Sequence, residues 1–208
     1  MNIKRDKNEM YVCVISLVLF FAVIYFVAAD TFTVQIDSYV NSNIRNTATF
    51  GLDLKANIIT LLGDSVTVLI LSILLAIAFI FRKKTYASGF LISSVFGGMI
   101  LGYLTKILVQ RERPENAIIE SSGFSFPSGH ALNSMIFFSL LVYLFKDDIK
   151  SAVLKNLFVF SSVLLIFAIG LTRIYLRVHW VSDVIGSWFL GLFWLSLMIW
   201  TFGFKLRK

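Results

Sequence analysis

The sequence has 208 residues, of which 58% are apolar, with 21 phenylalanines, only two prolines and a formal net charge of +7. That mixture excludes an ordinary soluble domain of this length. The positive charge sits at the ends of apolar runs and not along a hydrophilic face, so the bilayer is the expected partner and nucleic acid is not.

In chain order, the first apolar run, Tyr11 to Ala29, follows Lys4, Arg5 and Lys7. It is long for a signal-peptide core, and Ala28 and Ala29 lead into Asp30 without a clear A-x-A site, so an uncleaved span is expected. Cys13, the single cysteine, lies inside this run as a small apolar side chain, which leaves no intramolecular disulfide to form. Residues 30–57 make an outer connection in which Ile36, Tyr39, Val40, Ile44, Phe50, Leu52 and Leu54 stand among polar residues. The pattern suits either a short helix in the membrane interface or a solvated loop. Further spans are expected at 58–81, 86–109, 130–145, 157–174 and 184–201, the fourth being short, with outer connections at 110–129 and 175–183. All must be helical, because lipid offers no partner to unpaired backbone groups. Gly98 and Gly102 have the spacing that lets helices approach closely, more simply within one chain than between two, and the oligomeric state stays open.

Twelve of the 19 basic residues fall in four clusters: Lys4, Arg5 and Lys7; Arg82, Lys83 and Lys84; Lys146, Lys150 and Lys155; Lys205, Arg207 and Lys208. Six spans bring all four to one side, which the positive-inside rule makes the cytoplasm. The expectation is therefore an all-α, integral membrane six-helix bundle with N and C termini cytoplasmic, forming one domain over residues 1–208.

Five of the remaining cations, Lys106, Arg111, Arg113, Arg173 and Arg177, gather at the outer ends of the third and fifth spans. Such groups are costly at that depth unless paired or functional, and guanidinium forks suit phosphate; snorkelling at the interface is the plainer alternative. The two histidines, His130 and His179, fall beside them. His179 precedes Asp183 by four residues, so on a helix the carboxylate can orient one ring nitrogen and leave the other free to attack. Ser125 to His130 precedes a span, where free backbone N–H groups, Gly129 and the Ser128 hydroxyl suit an oxyanion, or make only a turn and cap. His130 there could protonate a leaving oxygen. Asp64, after Gly63, either pairs with a basic residue of the site or caps a broken span.

Together these segments resemble the three-part signature of the phosphatidic acid phosphatase type 2 superfamily, which includes bacterial phosphatidylglycerophosphate and undecaprenyl pyrophosphate phosphatases. Lysine, six residues and Arg-Pro are met by Lys106 and Arg113-Pro114; Pro-Ser-Gly-His by Pro127 to His130; Ser-Arg, five residues, His, three residues and Asp by Thr172-Arg173, His179 and Asp183. Thr172 replaces the usual serine and keeps a hydroxyl, while Arg177 and Val181 stand where many relatives carry glycine and proline. The signature covers residues 106–183; the first hundred residues match only as apolar spans.

The resemblance implies a hydrolase of lipid phosphomonoesters or pyrophosphates that forms a phosphohistidine on His179, oriented by Asp183. Lys106, Arg113, Ser128, Gly129 and Arg173 would hold the phosphoryl oxygens, and His130 would protonate the leaving group and then serve the attacking water. It implies no metal and no cofactor. The site would open to the extracytoplasmic side of a cell membrane, in a bacterium by composition. The alternatives are transfer to another acceptor, a non-lipid phosphate, or a non-catalytic transporter or scaffold whose charges line a polar path.

Overall fold

The computed structural model describes residues 7–29, 32–44 and 50–202. Lys4, Arg5, Asp30, Arg45, Lys205, Arg207 and Lys208 lie outside the described residues, as do the side chains of Phe32 and Phe50. Among the described residues eight helices follow one another: α1 (Lys7–Ala28), α2 (Phe32–Ile44), α3 (Phe50–Leu61), α4 (Ser65–Phe81), α5 (Thr85–Val109), α6 (Gly129–Phe145), α7 (Ala152–Tyr175) and α8 (Val181–Phe202). No strand occurs among the described residues.

Four of these helices, α1, α5, α7 and α8, are long and apolar enough to cross a membrane, and the pair α3–α4 makes a fifth span if counted as one. Their outward faces carry large apolar side chains, among them Tyr25, Phe81, Tyr103, Leu108 and Phe160, which water would penalise and lipid accepts. α6, with 17 residues, is about 26 Å long, short of a hydrocarbon core. It sits inside the bundle against α4, α5, α7 and α8. Most of its side chains from Ala131 to Leu140 are buried, so the middle of the helix meets protein and not lipid.

The expected second span, 58–81, is not one continuous helix. It breaks at Leu62–Asp64 with a bend of 41° between its halves. Asp64 causes the restart: extended at φ −63° and ψ 142°, it accepts from Val66 N and Thr67 N and caps α4. The first outer connection is helical rather than a solvated loop. α2 docks on the bundle, with Val40 and Ile44 packed against Ala131, Ile174 and Val184.

Gly98 and Gly102 serve the interior, as the simpler of the two expectations held. A Cβ on Gly102 would stand 2.5 Å from Leu132 of α6, and one on Gly98 would strike Ile136. Across the same layer Trp194 of α8 donates from Nε1 to Ser94 O of α5 at 2.7 Å. The core centres on Leu91, Leu132, Ile136, Leu140, Ile169 and Leu190. Because α4 to α8 run alternately up and down, the α5–α6 and α7–α8 connections share one end. Arg82, Lys83, Lys84, Lys146 and Lys150 occupy the connections at the other.

Candidate active site

The last turn of α5 presents Lys106, whose Nζ donates to Phe124 O at 2.7 Å. The 110–128 segment folds back on itself, with Ser125 N bonded to Arg111 O at 2.8 Å and Ser125 Oγ to Glu112 O at 2.8 Å. Phe126, fully buried and stacked on Phe20 of α1, anchors its end. Arg113 ties this segment to the α7–α8 turn. It donates from Nε to Gly123 O at 2.8 Å, from Nη2 to Ser122 O at 3.1 Å and from Nη1 to Val178 O at 2.7 Å. The same Nη1 lies 3.3 Å from His179 Nε2.

At the start of α6, Ser128 occupies the capping position but makes no capping bond, and its buried hydroxyl has no partner. The turn-and-cap alternative therefore does not account for this side chain. A Cβ built on Gly129 would meet nothing within 4 Å, so the space beside the helix start is open. Unpaired N–H groups of a first turn, an unused hydroxyl and open space are what an oxyanion requires. His130 Nε2 lies 3.8 Å from Asp64 Oδ1. Asp64 thus meets the capping alternative with Oδ2 and turns Oδ1 toward His130.

In the α7–α8 turn, His179 Nδ1 is 3.4 Å from Asp183 Oδ2, in ionic contact but without hydrogen-bond geometry. That oxygen accepts from Trp180 N at 2.9 Å. Burial, opposed by Asp183 and reinforced by Arg113 and Lys106, lowers His179 to about 4. The imidazole is therefore neutral at pH 7, and with the proton on Nδ1 facing Asp183 the Nε2 lone pair is the acceptor turned toward Arg113 Nη1. Burial also lowers Arg113 below the ordinary guanidinium range, against the pull of Asp183. Arg173 is buried, gives Nη1 to Thr60 Oγ1 at 3.0 Å and keeps an unpartnered Nε.

The three segments converge. His130 lies within electrostatic range of Arg173, Asp64, His179 and Arg113, and Lys106 within range of Arg113, Asp183 and Arg173. Two of the five outer cations are bonded to side chains of α2. Arg111 bonds Asp183 and Asp37, and Arg177 donates from Nε to Asn41 Oδ1 at 3.1 Å. Arg177 stands at φ 57°, a left-handed conformation that explains the glycine expected there; its contact with α2 offsets a backbone cost of about 1–2 kcal/mol. The Thr172 hydroxyl bonds back to Ile169 O at 2.7 Å.

Sequence reasoning missed Asp37, Asn41 and Thr60, all on α2 or α3. A signal was present: five outer cations face one signature carboxylate, Asp183, so further acids were needed nearby, and Asp37, Asp53 and Asp64 precede them in the chain. Asp53 accepts from Tyr175 Oη at 2.7 Å. Among the described residues no three His, Cys, Asp or Glu side chains gather closely enough to hold a metal ion.

A family model described as the PAP2 superfamily matches residues 88–207, a range that takes in every one of these signature positions. The chain belongs to the PAP2 superfamily. Phosphatidylglycerophosphatase B of Bacillus subtilis (strain 168) is 34% identical over 138 residues, 64% of this chain and 67% of the relative. A crystal structure of a transmembrane PAP2 type phosphatidylglycerolphosphate phosphatase from Bacillus subtilis superposes with a TM-score of 0.85 at 26% identity, covering 95% of this chain and 97% of that one. As a PAP2 member the chain is a phosphoric-ester hydrolase carried on a multi-pass membrane fold, as the signature implied.

Proposed function

We propose that this PAP2 member hydrolyses a phosphomonoester or pyrophosphate of a lipid, through a phosphohistidine on His179, at the extracytoplasmic face. Residues 1–208 act as one catalytic unit of six spans with both termini in the cytoplasm. α3–α4 counts as one span and α6 as another, crossing within the shelter of its neighbours. The basic residues of the α4–α5 and α6–α7 turns, at the end away from the site, support this orientation.

The observation that carries the mechanism is the set of buried polar atoms without protein partners, Ser128 Oγ and Arg173 Nε, around a neutral imidazole. A phosphoryl group satisfies both. His179 Nε2 attacks phosphorus and the bond to the leaving oxygen breaks. His130 gives that oxygen its proton, while Arg113, Lys106, Arg173, Ser128 and the Gly129 N–H hold the equatorial oxygens. Water then attacks the phosphorus–nitrogen bond, His130 takes its proton, and inorganic phosphate leaves with His179 restored. Asp183 compensates the positive charge that the ring acquires during attack.

Lipid is favoured as the substrate by a cavity of about 180 Å³ between α4, α5 and α6. Met99, Gly102, Tyr103, Pro127 and Leu132 line it together with Ser65, Asn133, Lys106 and Gly129, so a largely apolar space adjoins the oxyanion cradle. The similar phosphatidylglycerophosphatase B makes phosphatidylglycerophosphate the first substrate to try, followed by undecaprenyl pyrophosphate and phosphatidic acid.

The test is phosphate release by purified protein on these lipids and on a water-soluble phosphomonoester. Wild type should turn over at least one lipid far better than the soluble ester, and His179→Ala should lose roughly 10⁴-fold or more in kcat while folding normally. Retained hydrolysis in that variant overturns the covalent mechanism. A preference for the soluble ester overturns the lipid assignment.

A further inference from the structure

The 30–57 connection was expected as an interfacial helix or a solvated loop, yet its α2 carries one of the most enclosed acids among the described residues. The Asp37 side chain is 1% exposed. It accepts from Arg111 Nη2 at 2.8 Å, from Ser182 N at 2.9 Å and from Ser182 Oγ. Arg111 spans the gap to the nucleophile's partner, giving Nη1 to Asp183 Oδ1 at 2.6 Å. Its guanidinium also lies 5.5 Å from the Trp180 ring. One cation is thus shared by two buried carboxylates, the second of which faces His179 Nδ1.

We propose that Asp37 is a positioning residue for the His179 nucleophile, acting through Arg111 and Asp183. This rests on the assignment of His179 made above. Two effects follow from the geometry. Arg111, held at Asp37 through Nη2, presents Nη1 to Asp183 and so keeps that carboxylate at the imidazole. The group Asp37, Arg111 and Asp183 carries a net charge of −1, where Arg111 and Asp183 alone would carry none. That negative charge stabilises the positive charge that builds on the His179 ring as Nε2 bonds to phosphorus. An isolated Arg111–Asp183 pair would lack it.

The sign of the electrostatic effect separates it from a purely structural role. Around His179 stand Asp183 from α8, Arg113 from the 110–128 segment, Lys106 from α5 and His130 from α6. Arg173 of α7 and Asp64 before α4 lie one contact further out. None of these changes in the variants below. Asp37→Asn keeps the shape and an acceptor for Ser182 N but removes the negative charge, so the imidazole becomes harder to protonate and less nucleophilic. Arg111→Gln removes the cation between two carboxylates, so the imidazole becomes easier to protonate.

The experiment follows phosphate release from phosphatidylglycerophosphate across pH for wild type, Asp37→Asn, Arg111→Gln, Ser182→Ala and His179→Ala, each checked by thermal unfolding in detergent. Asp37→Asn should lower kcat on the order of tenfold with KM within about twofold, and move the acid limb of kcat/KM to lower pH. Arg111→Gln should move that limb to higher pH. Ser182→Ala removes the hydroxyl that accepts from Arg111 Nη1 at 2.6 Å and donates to Asp37 but leaves all three charges in place, so it should lower the melting temperature and leave the limb in place. If Asp37→Asn loses only stability, or if both charge variants move the limb in one direction, Asp37 is structural and the proposal fails. An active wild type whose His179→Ala variant keeps turnover would instead refute the nucleophile assignment.

Discussion

A serine hydroxyl buried without a partner costs a folded protein about 1–3 kcal/mol, and Ser128 bears that cost at the mouth of an open space. Its removal should therefore separate stability from catalysis in an unusual direction. Ser128→Ala loses no hydrogen bond in the free protein, so the melting temperature should hold or rise slightly. The phosphoryl oxygen loses a donor, so kcat should fall about 10²- to 10³-fold. A thermal unfolding curve and a phosphate-release assay on the same preparation suffice. A marked drop in melting temperature would mean that the hydroxyl serves the fold. The arginines show the converse at this scale: Arg111 and Arg177, identical in charge to Arg113 and Arg173, are taken up by Asp37 and Asn41 of α2.

Among the elements, the α7–α8 corner decides where the proposed nucleophile stands, because His179 lies between the two helices and Asp183 in the first turn of the second. Gly170 sets how closely they pack. A Cβ there would come within 2.5 Å of the Trp188 ring and 2.8 Å of Val184. Trp188 cannot swing freely, since its ring meets Phe167 edge-on at 4.7 Å. Alanine would favour the helix by up to about 1 kcal/mol. Overpacking against an immobile ring costs about 1–3 kcal/mol. Gly170→Ala should thus lower the melting temperature by a few degrees and displace His179 enough to reduce kcat several-fold. If stability increased instead, the corner would be looser than its contacts indicate. The bent pair α3–α4 acts at the same scale. Its break places Thr60 against Arg173 and Asp64 against His130.

For the whole molecule, orientation in the membrane is the open physical variable, and the chain has a convenient background for measuring it in its single cysteine. In Cys13→Ser, a cysteine at Glu120, in the α5–α6 connection, should react with an impermeant maleimide in intact cells. One at Lys150, in the α6–α7 connection, should react only after lysis. The reverse pattern would put the site on the cytoplasmic side and overturn the proposed topology. α6 explains why hydropathy alone counts the spans poorly here: it is too short to cross alone, yet four neighbouring helices enclose it. In the proposed six-span topology a broken span and a sheltered one both depart from the simple relation between apolar length and bilayer thickness.

Local chemistry was legible from the chain itself. Runs of apolar residues without proline dictate helices, and the spacing of Lys106, Arg113, Pro127 to His130, Arg173, His179 and Asp183 carried the family. The helix face expected to be shared by His179 and Asp183 did not form, because His179 stands in the turn before α8, 3.4 Å from the carboxylate. Capping by Asp64 and close packing at Gly102 likewise follow from local sequence. Which cations serve an anion and which are neutralised could not be read there. That depends on α2 and α3, distant in sequence and only weakly patterned, folding over the α7–α8 corner and supplying Asp37, Asn41 and Thr60. Buried charge is compensated by whatever lies within a few ångströms, and only tertiary packing sets that distance.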